Sequence, residues 1–146
     1  MSMFSKACEY GIRAMIYIAQ RSAEQERVGI KDIARRIDSP EPFLAKILQD
    51  LSRKGLVQSI KGPNGGFYLE KGGLQVSLAE VVSAIDGDQL FNGCGLGLKV
   101  CSEKNPCPIH DEFKIIRNKL KALLENTRVS EFTEDLEKGL LYLKRG

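Results

Sequence analysis

Apolar positions recur at steps of three and four along most of this chain. Phe4, Cys8, Ile12, Met15, Ile16 and Ala19 form the first series. It predicts an amphipathic helix over residues 3–22, with Arg13 and Arg21 off the apolar face. The polar run Ser22-Ala23-Glu24-Gln25-Glu26-Arg27 closes it. Cys8 falls on the stripe, which makes it a small buried hydrophobe. Ile30, Ile33, Ala34 and Ile37 predict a second, short helix that Asp38-Ser39-Pro40-Glu41-Pro42 breaks. Ser39 before Pro40 then predicts an N-cap followed by a proline in the first turn of a third helix. That helix turns Leu44, Ile47, Leu48 and Leu51 inward, shows Lys46, Gln49, Asp50 and Arg53 outward, and stops at Gly55.

The pattern then changes. Leu56–Ile60 and Phe67–Leu69 read as strands around the turn cluster Lys61-Gly62-Pro63-Asn64-Gly65-Gly66. Two helices across a tight turn followed by a glycine-tipped hairpin make a winged helix-turn-helix. The plainer alternative is a helical hairpin that binds nothing. A further helix runs to Ile85, with Ser77 as cap and Glu80 at the capping-box position. After an aperiodic stretch at about 92–108, Phe113, Ile116, Leu120, Leu123 and Thr127 mark a seam on a helix of about 108–126. A long helix with such a seam suits a dimer contact, the alternative being packing onto its own subunit. Phe132, Leu136 and Leu140 lie on a last amphipathic stretch, capped by Ser130. The fold class expected is mostly α, with a small β-hairpin wing and a long C-terminal dimerisation helix.

Charge sharpens this picture. Residues 1–76 hold 12 Lys/Arg and 8 Asp/Glu, a net of +4, whereas residues 77–146 hold 10 and 11, a net of −1. The basic excess lies with the helix-turn-helix and fits contact with the phosphates of duplex DNA. The third helix would enter the major groove with Ser39, Glu41, Lys46, Gln49 and Arg53. The wing would meet backbone or minor groove with Lys61, Gly62, Asn64, Gly65 and Gly66. No apolar run approaches a membrane span, and the N-terminus lacks an apolar core of signal-peptide type. A cytoplasmic location is expected, where clustered cysteines are metal ligands or redox sensors rather than structural disulfides.

Such a cluster is present. Cys94, Cys101, Cys107 and the only histidine, His110, fall within seventeen residues. Thiolate and imidazole are soft to borderline donors that suit zinc or the iron of an iron–sulfur cluster. Three thiolates need a fourth ligand, and His110, two residues beyond Cys107, is the leading candidate. The plainer alternative is an exposed helix-start histidine. Zinc on three Cys and one His is the main rival metal, although no CxxC knuckle occurs. A metal-free thiol switch is a third possibility. No P-loop, nucleophile elbow or carboxylate pair appears, so no enzyme activity and no small-molecule substrate are expected.

Taken together, these residues resemble the Rrf family of bacterial winged-helix regulators, with its IscR-like and NsrR-like members. The resemblance rests on Glu9-Tyr10-Gly11-Ile12-Arg13-Ala14, Ile30-Lys31-Asp32-Ile33-Ala34, Phe43-Leu44-Ala45-Lys46-Ile47-Leu48, Lys54-Gly55-Leu56-Val57, the wing and the cysteine loop. It implies a homodimer joined by the long helix and a cluster, 2Fe–2S ahead of 4Fe–4S, that controls operator binding. It also implies an alternative fourth ligand, Glu9 from the partner subunit, as in NsrR-like relatives. The expected division is a DNA-binding domain at 1–76 and, at 77–146, the cluster loop and dimerisation helices. Six residues separate Cys94 from Cys101, one more than in IscR-like members. Pro40, Pro42 and Ala45 stand where an IscR-like recognition helix has polar residues, and Lys61 where its wing has Arg.

Overall fold

The computed structural model describes residues 3–144. Helix α1 (Lys6–Ala23) is the hub, touching α2 (Ile30–Ile37), α3 (Glu41–Arg53), strand β2 (Gly66–Tyr68), α4 (Leu78–Asp86) and α7 (Thr133–Glu137). Its apolar face explains why. Ala14, Met15, Ile18 and Ala19 are fully buried in one core with Ile33 and Ile37 of α2 and with Leu44, Leu48 and Leu51 of α3. A Leu→Ala change at a fully buried site such as Leu48 costs ~2–5 kcal/mol, so this face alone commits α1–α3 to one arrangement.

The wing follows as expected, with slightly shorter strands. Strand β1 (Gln58–Ile60) pairs antiparallel with β2, Gln58 opposite Tyr68 and Ile60 opposite Gly66. Val28 adds a third edge by exchanging backbone hydrogen bonds with Phe67 at 2.9 and 2.7 Å. That edge ties the hairpin to the α1–α2 connection.

Two cap assignments are corrected. Ser39 does not cap α3: its N–H bonds the Ala34 carbonyl at 2.9 Å and its hydroxyl turns to the Pro40 carbonyl. Pro40 occupies the N-cap position and Pro42 the first turn, where no amide donor is required. Ser130 does not cap α7 either. Its hydroxyl donates to the Leu74 carbonyl at 2.7 Å and fastens the C-terminal segment to the turn before α4. The Ser77–Glu80 capping box forms as expected, and Gly55 follows α3 at φ 79°.

The seam of α6 (His110–Asn126) divides. Leu120 and the unforeseen Leu124 pack against Cys8, Ala79, Val82 and Phe91 of the same subunit. Ile116 and Leu123, further round the helix, are 63% and 61% exposed. Cys8 is fully buried, as its place on the apolar stripe implied. No described helix is long and apolar enough to cross a membrane.

Candidate metal centre and nucleic-acid interface

Short helix α5 (Gln89–Asn92) ends at Gly93, and the cysteine loop runs from there to the start of α6. The loop folds back on itself, and the Sγ atoms of Cys94, Cys101 and Cys107 lie within 4.8 Å of one another. Cys107 is buried just before α6, and its carbonyl accepts from the His110 N–H at 3.0 Å. That turn sets the imidazole beside the thiols, with Nδ1 3.2 Å from Cys101 Sγ. Three thiols gathered at one point, with an imidazole beside one of them, suit a soft or borderline metal, or iron–sulfur iron.

The thiols are not equivalent. The backbone N–H groups of Leu98 and Leu96 point toward Cys94 Sγ, the latter at 3.4 Å, and bring its thiol down to about 7. Cys101 goes the other way. The Cys107 N–H pulls its thiol down, but desolvation and the neighbouring Cys94 and Cys107 outweigh that and raise it. Adjacent thiols compete for one negative charge, and Cys94 takes it first.

Two residues that spacing did not single out hold this loop. Arg117, on α6, donates to the Gly93 carbonyl at 2.8 Å, one residue before Cys94. Glu103 pairs with Lys114 and lies 3.5 Å from His110 Nε2. Lys114 and then His110 hold its carboxyl below the usual range. A single charge on a loop or a helix surface carries no sequence signal of either contact.

Helix α3 turns out the side chains expected to meet DNA. Leu44, Ile47, Leu48 and Leu51 anchor one face, which leaves Lys46, Gln49 and Arg53 exposed on the other. Arg53 pairs with Asp50 at 3.0 Å, a surface pair that a phosphate can replace. Ser39 and Glu41 are half-buried at the helix start. In the wing, a Cβ on Gly65 would sit 2.0 Å from the Ile60 carbonyl oxygen, and one on Gly66 2.7 Å from that of Val28. The hairpin's own backbone therefore demands glycine at 65, and the Val28 strand edge demands it at 66. Gly62, at φ 107° with open space around it, leaves its backbone bare beside exposed Lys61 and Asn64.

A sequence model described as an iron-dependent transcriptional regulator, Rrf2, matches residues 4–135. This chain belongs to the Rrf2 family. The regulator IscR of Cronobacter sakazakii is 30% identical over 137 residues, 94% of this chain and 83% of that one. Among solved structures, IscR of T. potens aligns with a TM-score of 0.73 at 22% identity, covering 96% of this chain and 92% of that one. CymR of B. subtilis, the global cysteine regulator, aligns with a TM-score of 0.71 at 23% identity, covering 92% and 98%. The family and the two-stranded wing make this Rrf2 protein a winged-helix, DNA-binding transcriptional regulator.

Within this Rrf2 chain Cys94, Cys101 and Cys107 come together, and His110 lies beside Cys101 and also groups with the carboxylates of Glu103 and Asp111. Glu9 is half-buried on α1 and lines a cleft with Phe4, Tyr10, Ile12 and Arg13, outside the thiol group of its own subunit. Lys31, Arg35 and Arg36 of α2 were not singled out, yet all three are exposed. The basic excess of residues 1–76 was their signal.

Proposed function

We propose that this regulator, a repressor by preference, binds its operator as a homodimer under the control of an iron–sulfur cluster. The cluster, 2Fe–2S ahead of 4Fe–4S, is held by Cys94, Cys101, Cys107 and His110. The supporting observation is the convergence of three Sγ atoms within 4.8 Å of one another, with His110 Nδ1 3.2 Å from one of them. A cluster bound there supplies an electron-accepting, ligand-labile centre that answers to redox state, nitric oxide or cluster supply. A nitrogen ligand is more easily protonated or displaced than a fourth thiolate, which suits a sensor. On this reading residues 1–76 read DNA, with Lys46, Gln49 and Arg53 in the major groove and Lys61, Gly62 and Asn64 along the backbone. Residues 77–146 sense and pair the subunits. The test is protein purified without oxygen: iron and acid-labile sulfide are expected in the wild type and lost in Cys101→Ala. Colourless protein with stoichiometric zinc would replace the cluster by a structural metal.

A specific observation supports a second reading. Backbone N–H groups of Leu98 and Leu96 bring the Cys94 thiol down, and its Sγ lies within 4.8 Å of those of Cys101 and Cys107. Oxidant would then join two loop thiols as a disulfide, with loss of two electrons and two protons. Metal-free protein whose DNA affinity changes with a disulfide found by mass spectrometry would select this reading.

A further inference from the structure

His110 stands on the first turn of α6 with its side chain only 10% exposed, and its two ring nitrogens face different partners. Nδ1 faces the thiols, 3.2 Å from Cys101 Sγ. Nε2 is sealed from solvent, makes no hydrogen bond, and faces Glu103 Oε1 at 3.5 Å. Glu103 reaches this point by construction. Ser102 Oγ accepts from the N–H groups of Lys104 and Asn105 at 3.3 and 3.2 Å, and the Ser102 N–H bonds the Asn105 carbonyl at 3.2 Å. That closed turn carries Glu103 on its outside. Lys114, one helical turn beyond His110, pairs with the same carboxylate oxygen.

A neutral imidazole has one N–H and one lone pair, and the partner of one nitrogen decides the role of the other. An ionised carboxylate only accepts. A hydrogen bond from Nε2 to Glu103 would put the N–H on Nε2 and leave the Nδ1 lone pair facing Cys101 Sγ.

We propose that Glu103 is the positioning residue of the centre: it fixes the tautomer and ring angle of His110 so that Nδ1 is the fourth donor. This rests on the reading of His110 as a ligand. Carboxylate–histidine pairs of this type carry ~10–100-fold in metal affinity.

The test uses the metal-free full-length chain with zinc(II) as probe, in competition with a chromophoric chelator. Glu103 is two-thirds exposed, so its variants should fold, and a melting curve checks this. Glu103→Ala should weaken zinc binding by ~10–100-fold. The same change made on His110→Ala should add less than about two-fold, because contacting residues that act as a unit are non-additive. Glu103→Gln, which keeps an acceptor oxygen, should recover part of the loss. Equal zinc affinity in wild type and Glu103→Ala would overturn the proposal. So would an equal loss with and without His110, or no recovery by Gln, since either assigns the effect to charge alone. If His110→Ala itself leaves zinc affinity unchanged, the ligand reading fails first, and Glu103 positioning with it.

Discussion

Asp86, the last residue of α4, caps the first turn of α1 through Ser5, 81 positions away in sequence. Its carboxylate accepts from the Ser5 N–H at 3.0 Å and from the Ser5 hydroxyl, while Ser5 Oγ accepts from the Cys8 N–H at 3.0 Å. The start of the hub helix is thereby joined to the helix that leads, through α5, into the cysteine loop. Asp86→Ala should cost ~0.5–2 kcal/mol, the size of a lost helix cap, measured by urea unfolding. In the loaded regulator it should also reduce the difference in operator affinity between holo and apo protein, itself expected at ~1–3 kcal/mol. An unaltered difference would remove this contact from the coupling route.

Gly11 is where α1 and α4 approach most tightly. A Cβ there would sit 2.3 Å from Ile85 Cδ1 and 3.4 Å from Ile47 Cγ2. The obstacle is a side-chain end, so it can move at a cost. Gly11→Ala should destabilise by ~1–3 kcal/mol, the range for overpacking. Ile85→Ala in the same chain should return part of that loss. Additive losses in a thermal-unfolding cycle would contradict the proposed contact.

Burial first, then the nearby charge and hydrogen bond of Asp86, push the Cys8 thiol up to about 12. An unfolded thiol ionises near 8.5. The folded state therefore resists losing this proton, and its contribution to stability is whole below about pH 8.5 and falls as pH rises toward 12. Relative to Cys8→Ala, the wild type should lose ~1–2 kcal/mol between pH 8 and pH 10, read from paired urea titrations. Parallel curves for the two proteins would contradict this.

The divided seam of α6 makes a contrast. Ile116→Asp with Leu123→Asp should leave the fold intact and lower the molar mass by half in sedimentation, since both side chains are mostly exposed. Leu124→Ala, at a position 4% exposed, should cost ~2–5 kcal/mol whatever the oligomeric state. A dimer that survives both aspartates would place the contact elsewhere.

The wing and the recognition helix should differ in kind. Lys61→Ala should weaken binding to all duplexes and reduce the salt slope by about one charge. Gln49→Ala should cost ~1–3 kcal/mol on the operator alone. Competition assays at two salt concentrations separate the two effects, and an unchanged slope for Lys61→Ala would count against a wing contact.

Much of this was legible in the chain. Steps of three and four located every long helix, because a helix repeats its face over a few residues and the repeat is local. The capping box at Ser77 and Glu80 is likewise a four-residue event and formed as read. Ser39 and Ser130 were misread because a hydroxyl near a helix start has several backbone partners within reach. Packing of the neighbouring segments chose between them.

By itself the sequence determined the helix-turn-helix, the glycine-tipped hairpin and the donor types in the loop, since each is written in residues close together along the chain. Tertiary structure alone decided which atoms meet. It set Nδ1 of His110 against Cys101 and Nε2 against Glu103, left room at Gly65 for the hairpin's own backbone and at Gly66 for that of Val28, and split the α6 seam between core and surface. It also joined Asp86 to Ser5. Such contacts depend on the angles at which whole helices and loops close on the α1 core, and those angles follow from the summed packing of many side chains rather than from any local run.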